Sequence, residues 1–182
     1  MEQGTEQGTV DSSKLWQQRT VRILSNAMDS QIPKIVSGGQ TGADRAALDW
    51  ALARGIECGG WCPKGRKAED GPLPNKYPLV ETPSANYVQR TEWNVRDTEG
   101  TIIISTERIL SGGSEKTLEF ALKHGKPCLH IHSGVKDAGK RLLEFVVDNE
   151  IKTLNVAGPR ASKESGVGDF VKEVLDTAFQ PH

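Results

Sequence analysis

Two glycine-rich segments carry the residues of this chain that are best suited to bind a ligand. The first reads Ser-Gly-Gly-Gln-Thr-Gly at 37–42, and the second reads Ser-Gly-Gly-Ser-Glu-Lys-Thr at 111–117. Each follows an apolar run and precedes a segment of helical character. Glycine lets a loop turn tightly and bring its amides close to a ligand, and a helix N-terminus adds free N–H groups and partial positive charge. Two such loops in one small domain predict a crevice for an anionic ligand, such as a phosphorylated one.

The first loop does not match the common nucleotide-binding patterns. It lacks the Gly-Lys-Ser/Thr ending of a P-loop, and it lacks the G-x-G-x-x-G spacing of dinucleotide-binding loops. Thr41 is suited either to cap the following helix or to contact a phosphate oxygen. Asp44 stabilises the first turn of that helix in one interpretation. In the other, its carboxylate binds a hydroxyl or amino group of the ligand.

Further polar residues are weighed as ligand contacts. Lys64 and Arg66 follow the second predicted strand at the start of a proline-rich segment, 62–85, and Arg160 and Ser162 follow the fifth. A plain turn is the alternative for the last two. The residues that the two loops and their surroundings nominate for ligand binding are Ser37, Gly38, Gly39, Gln40, Thr41, Gly42, Asp44, Lys64, Arg66, Ser111, Gly112, Gly113, Ser114 and Thr117.

The cysteine and histidine spacings do not predict a metal site. Cys58 and Cys62 form a C-x3-C pair without a second pair, whereas structural zinc needs four ligands. His130 and His132 share one face of a predicted strand, but two histidines alone make a poor site. We therefore expect the cysteines to be packed in the core or to lie near the pocket, and the histidines to pack in the core or at the surface.

Composition excludes several broad classes of partner. The chain has 182 residues and a net charge of −1, so no overall charge attracts it to nucleic acid or to an anionic membrane. No apolar run approaches the length of a membrane helix. The three cysteines form no disulfide framework, which favours a reducing, cytoplasmic location.

The first 27 residues differ from the rest of the chain. They are mostly polar, and Ser25-Asn26-Ala27-Met28 resembles the remnant of a cleaved expression tag. We expect 1–27 to be a tag-derived or disordered tail and 28–182 to form one ligand-binding domain.

The remainder alternates short apolar runs with amphipathic stretches, which predicts an α/β fold with a doubly wound, Rossmann-like parallel sheet. Predicted strands cover 34–37, 56–60, 101–105, 127–131 and 152–156. Predicted helices cover 42–54, 86–98, 114–124, 137–149 and 167–178. Strand order 2-1-3-4-5 places both glycine loops at one switch point, where ligands bind in such sheets, whereas order 3-2-1-4-5 separates them by a strand. A shared site favours the first order.

Several motifs together resemble the putative molybdenum carrier family, whose members are similar to the molybdenum-cofactor carrier protein. The resemblance spans 33–179 and rests on Gly-Gly-Gln-Thr-Gly-Ala-Asp at 38–44, Trp-Cys-Pro-Lys-Gly-Arg at 61–66, Tyr-Pro-Leu at 77–79, Arg90-Thr91 with Asn94, and Ser-Gly-Gly at 111–113 with Thr117. It implies that the chain binds and carries the molybdenum cofactor (molybdopterin), a pterin with a terminal phosphate. It further implies a molybdoenzyme recipient and a homo-oligomer, either a dimer or a tetramer.

A more distant resemblance is to the "lonely guy" phosphoribohydrolases of the lysine-decarboxylase-like Rossmann superfamily. It nominates Arg90, on the helix before the third strand, and Glu119, near that family's catalytic glutamate, as further ligand-binding residues. Phe120 stands where that family has the glutamate itself. We expect Arg90 to point toward the second glycine loop from the mouth of the site, so that its removal would change folding little.

The leading hypothesis is therefore a cofactor-binding carrier that needs no catalytic residue. The alternative is an enzyme that hydrolyses the N-glycosidic bond of a nucleoside monophosphate, with Glu119 or Asp44 as acid or base. A third hypothesis is a signalling module that binds a nucleotide.

Overall fold

The computed structural model of the protein describes residues 32–179. The predicted tail at 1–27 and the ends of the predicted domain, 28–31 and 180–182, lie outside the described residues. Within 32–179, no helix is both long and apolar enough to cross a membrane.

Short strands alternate with helices of 10 to 13 residues in the described chain. The strands are β1 (Lys34–Val36), β2 (Cys58–Cys62), β3 (Lys67–Ala68), β4 (Gly71–Pro72), β5 (Leu79–Glu81), β6 (Gly100–Ser105), β7 (Cys128–His132) and β8 (Thr153–Ala157). The helices are α1 (Ala43–Ala53), α2 (Tyr87–Arg96), α3 (Gly113–Lys123), α4 (Ala138–Asp148) and α5 (Val167–Phe179). Every predicted strand and helix is present, with boundaries within two residues.

The α/β fold class is confirmed, because six of these strands form one parallel sheet in the order β5-β2-β1-β8-β6-β7. The predicted strand order 2-1-3-4-5 is wrong. The fifth predicted strand, β8, does not lie at an edge but between β1 and β6. Ile35 pairs with Leu154 on one side of β8, and Ile102 pairs with Val156 on the other. The central position suits β8, since four of its five residues are buried.

The proline-rich segment contains structure that the sequence patterns did not predict. β5 adds a sixth strand beside β2, and β3 and β4 form a short antiparallel hairpin. These strands have two or three residues each, too few to produce a recognisable alternation.

Helices cover both faces of the sheet. α5 packs against both α1 and α4 in one layer, while α2 and α3 pack together in another. The main core includes Ile35, Ile102, Leu154, Val156 and Leu175, all fully buried. A smaller cluster of Val95, Phe120 and Ala121 lies between α2 and α3. This arrangement brings the loops after β1, β6 and β8 to the same edge of the sheet.

Close packing at that edge leaves no room for a side chain at Gly158, which directly follows β8. A Cβ atom at Gly158 would lie 2.2 Å from the carbonyl oxygen of Ile104 and 2.6 Å from the Cβ of Ala43. A Cβ at Gly113 would meet nothing within 4 Å. We predict that Gly158→Ala lowers the free energy of unfolding by about 1–3 kcal/mol through overpacking. The matched change Gly113→Ala should be neutral or stabilising by up to about 1 kcal/mol, because alanine favours the helix.

Urea unfolding of the two variants beside the parent chain measures both effects. Equal stability of the two variants would contradict the close approach between Gly158 and the backbone of β6.

Candidate functional site

A polar cavity of about 40 Å³ lies at the carboxyl edge of the central strands. Four separate parts of the chain line it: the first glycine loop with α1, the inner face of α2, the start of α3, and the end of β8. The lining residues are Gly38, Asp44, Arg90, Thr91, Asn94, Gly113, Thr117, Asn155, Val156, Ala157 and Gly158. Both glycine loops thus contribute to one cavity, although β8 separates their strands.

A buried ion pair dominates one wall of the cavity. Arg90 Nη1 donates to Asp44 Oδ2 at 2.7 Å, and the two side chains are 13% and 3% exposed. The guanidinium lies against Gly38, where an added Cβ would sit 1.7 Å from Nη1. Arg90 therefore contacts the first glycine loop, not the second as expected, and it is largely buried instead of lying at the mouth of the site.

The Asp44 carboxylate is held by the loop that precedes it. Burial raises its pKa, while Arg90 and backbone hydrogen bonds to Gln40 and Gly38 oppose that shift. The first glycine loop thus already directs backbone groups at a carboxylate of its own. Arg90 keeps one donor unused, since its Nε is buried without a hydrogen-bond partner.

Other polar side chains on the cavity wall are partly engaged. The hydroxyls of Thr91 and Thr117 each donate at 2.9 Å to the backbone oxygen four residues earlier in their helices. Asn94 forms two hydrogen bonds with the backbone of Trp61, and the Asn155 amide donates to Thr101 at 3.3 Å. Asn94 thus fixes α2 against β2.

The other predicted residues of the first loop have structural contacts. Ser37 is fully buried and donates to the carbonyl of Val156 at 2.7 Å, which ties β1 to β8. The Gln40 side-chain oxygen accepts from the amides of Thr41 and Glu69. Thr41 does not cap α1, because the N-cap residue of that helix is Gly42 and no side chain forms a capping hydrogen bond there. Gly39 and Gly42 both have positive φ, as a tight turn requires.

Thr41 instead contributes to a cluster around Glu69, on the β3–β4 hairpin. Glu69 accepts from the hydroxyls of Thr41 and Ser162, and Arg160 Nε lies 3.4 Å from its carboxylate. Arg160 and Ser162 therefore bind a carboxylate of this chain. These contacts fasten the hairpin to the first glycine loop.

The second glycine loop is more open. Gly112 has positive φ, and Ser111, Gly112 and Gly113 are exposed. Lys163 Nζ donates to the backbone oxygen of Ser111 at 2.9 Å and also to its hydroxyl. Ser114 is buried, and its hydroxyl has no hydrogen-bond partner. This end of the cavity combines exposed amides at the start of α3 with a nearby ammonium group.

Five of the sixteen predicted residues line the cavity, namely Gly38, Asp44, Arg90, Gly113 and Thr117. Three of the others lie outside both glycine loops and have different contacts. Lys64 is exposed, and its amide donates to Ser84. Arg66 directs its guanidinium at four carbonyls of the proline-rich segment, those of Leu73, Pro74, Tyr77 and Leu79. Glu119 lies on the exposed side of α3 and pairs with Lys116 at 2.5 Å.

Several cavity residues were not predicted from the sequence as ligand contacts, notably Thr91, Asn155 and the 156–158 segment. Asn155 could have been predicted as a site residue, because it is a polar residue that interrupts the apolar strand between Leu154 and Val156. Asn94 and Thr91 were quoted only as parts of a family motif.

The cysteines and paired histidines occupy packed positions. Cys58 and Cys62 are buried free thiols, and burial raises the pKa of each. His130 Nε2 lies 2.7 Å from the Ser105 hydroxyl, and burial lowers the pKa of its ring. Among residues 32–179, no three His, Cys, Asp or Glu side chains are grouped so that they could hold a metal ion.

Comparisons with known proteins found a family model and a solved structure that match most of the chain. The family model described as the circularly permutated YpsA SLOG family matches residues 35–179. The crystal structure of a protein called "putative molybdenum carrier protein", from Syntrophus aciditrophicus SB, shares 47% sequence identity with a TM-score of 0.79. The match covers 85% of this chain and 99% of that one. A comparison with curated proteins found no match.

The burial of Arg90 leads to a stability prediction. Arg90→Ala leaves the buried Asp44 carboxylate without its partner, so we expect the free energy of unfolding to fall by about 3–5 kcal/mol. Arg96, on the same helix, pairs with its neighbour Asp97 in an exposed position. Arg96→Ala should therefore change stability by less than about 1 kcal/mol. Chemical denaturation of both variants makes the comparison, and similar losses would show that the buried pair has no special weight.

The thiols provide a second prediction. Burial raises the pKa of Cys128 to about 11, so almost none of it is the reactive thiolate at pH 8. We expect Cys58, Cys62 and Cys128 to react slowly with Ellman's reagent in the native protein and rapidly in urea. Fast reaction of all three thiols in the native state would contradict this packing.

Proposed function

Because the chain belongs to the circularly permutated YpsA SLOG family, we propose that its cavity and second glycine loop form a binding site for a carried small molecule. The name of the Syntrophus protein suggests a molybdenum-related cargo. We infer that the cargo is the molybdenum cofactor, a phosphorylated pterin, and that a molybdoenzyme receives it.

The observation that carries this proposal is the convergence of loops after β1, β6 and β8 on one cavity. A crevice outside the carboxyl ends of parallel strands is where α/β sheets bind ligands. Here it combines a polar cavity with an exposed helix start at Gly112 and Gly113. A ligand with a polar ring at one end and an anionic group at the other suits such a site.

The anionic end of the ligand is best served by the second glycine loop. Exposed amides at the start of α3 and the ammonium group of Lys163 favour a phosphate there. The first loop is less suited, because Asp44 already faces its backbone groups.

The glycosidase alternative has less support. Glu119 does not line the cavity and pairs with Lys116, and Asp44 is paired with Arg90. Neither carboxylate is free to transfer a proton to a ligand in this arrangement. We therefore favour a carrier, acting as a homo-oligomer in the cytoplasm.

The direct test is cofactor loading. The protein is incubated with molybdenum cofactor released from a molybdoenzyme, separated by gel filtration, and analysed for molybdenum and for pterin fluorescence. Co-elution of both in constant ratio supports the proposal. Elution of the protein without either would refute it.

Lys163 gives a residue-level prediction for the same assay. Lys163→Ala should weaken cofactor binding by about tenfold, the lower range for a lost hydrogen bond to a charged group. Lys172 is exposed on α5 and does not line the cavity, so it provides the matched control, and Lys172→Ala should bind like the parent. Equilibrium dialysis with molybdenum analysis measures both. Equal affinity of the two variants would show that the cofactor's phosphate does not bind at the second glycine loop.

A further inference from the structure

The side chains around the cavity share a preference for accepting hydrogen bonds. The protons of the Thr91 and Thr117 hydroxyls are already donated to the carbonyls of Tyr87 and Gly113. Each hydroxyl therefore offers a ligand its lone pairs alone. The carboxylate of Asp44 also accepts only. A ligand that fills this cavity well must bring N–H or O–H groups.

The charges on the cavity wall also favour a ligand group that is not anionic. Asp44 and Arg90 are the two charged residues among those that line the cavity, and they neutralise each other. A phosphate placed inside would approach a carboxylate whose cationic partner is already engaged. Repulsion of this kind is strong where water is excluded. The cavity is thus a poor place for the anionic end of a ligand.

One buried donor complements these acceptors. Arg90 Nε is buried and has no hydrogen-bond partner. A small side-chain shift would let it donate to a ring carbonyl, which would satisfy a group that is otherwise left unpaired. The wall therefore matches a ligand edge that carries several donors next to one acceptor.

The size of the cavity limits how much of a ligand can enter. A volume of about 40 Å³ has room for a few water-sized groups. The edge of one ring fits this description.

We propose that this cavity receives the N–H-bearing edge of a cyclic amide, the 2-amino-4-oxopyrimidine edge that pterins and guanine share. The hydroxyl oxygens of Thr91 and Thr117 accept from the ring N–H groups, and the one remaining acceptor position of Asp44 receives the amino group. The phosphate of a complete ligand stays outside, at the start of α3. This inference rests on the proposed function and assigns the two ends of the cargo to the two parts of the site.

Simple ligands test the assignment without the intact cofactor. Pterin, which carries no phosphate, is titrated into the protein and followed by its fluorescence. Lumazine has a carbonyl in place of the 2-amino group and turns an acceptor toward the carboxylate. We expect pterin to bind at least about tenfold more tightly than lumazine. Excess inorganic phosphate should not displace it.

Two threonines provide matched variants. Thr117→Val removes the acceptor that faces the cavity, whereas Thr117→Ser keeps it. Thr177 makes the same hydroxyl-to-carbonyl bond on α5, away from the cavity. We expect Thr117→Val to weaken pterin binding several-fold, with Thr117→Ser and Thr177→Val close to the parent. Thermal melts of all three variants separate loss of binding from loss of folding, and the comparison of pterin with lumazine on the parent protein keeps the test valid if Thr117→Val unfolds.

The outcomes separate this inference from the proposed function. Equal binding of pterin and lumazine, or displacement of pterin by phosphate, would overturn the assignment of the cavity. Binding of the intact cofactor and of phosphate without binding of pterin would overturn it while leaving the carrier function intact. Binding of pterin without retention of the intact cofactor would support the cavity assignment and refute the carrier function.

Discussion

The ion pair between Asp44 and Arg90 is the contact on which the site depends. A carboxylate and a guanidinium this deeply buried are tolerated because they pair with each other and with nearby backbone groups. The pair joins the first turn of α1 to α2 across Gly38, whose missing side chain makes room for the guanidinium. It also sets the chemistry of the cavity, because two opposite charges leave a polar wall without net charge.

Much of the fold could be predicted because buried parallel strands and amphipathic helices differ in their apolar spacing. Runs such as Ile102 to Ile104 are recognisable as strands covered on both faces. Strand order was not accessible in the same way, since nothing in a local pattern says which distant strand is its neighbour. β8 resembles any other apolar strand, and only its Asn155 marks it as part of a site.

The candidate site was predicted in outline but not in detail. Glycine spacing located two loops that contribute to one cavity, because that spacing encodes backbone geometry. The roles of charged residues were harder to predict, because a residue type specifies charge without specifying direction. Arg66 illustrates this, since its guanidinium satisfies four carbonyls of an irregular segment that has few other donors. Arg90 was identified as important, but burial against the first loop could not be deduced from helical position alone.

The central position of β8 has a consequence for how the molecule is made. The strands β5, β2 and β1 form one half-sheet and β6 and β7 another, and in the described chain they are hydrogen-bonded to each other only through β8. Any half-sheet that forms before residues 153–157 leave the ribosome therefore has an open apolar edge. Unpaired edges of this kind invite pairing with other chains. Early chaperone contact with β1 and β6 would protect the protein at the stage when aggregation is most favourable.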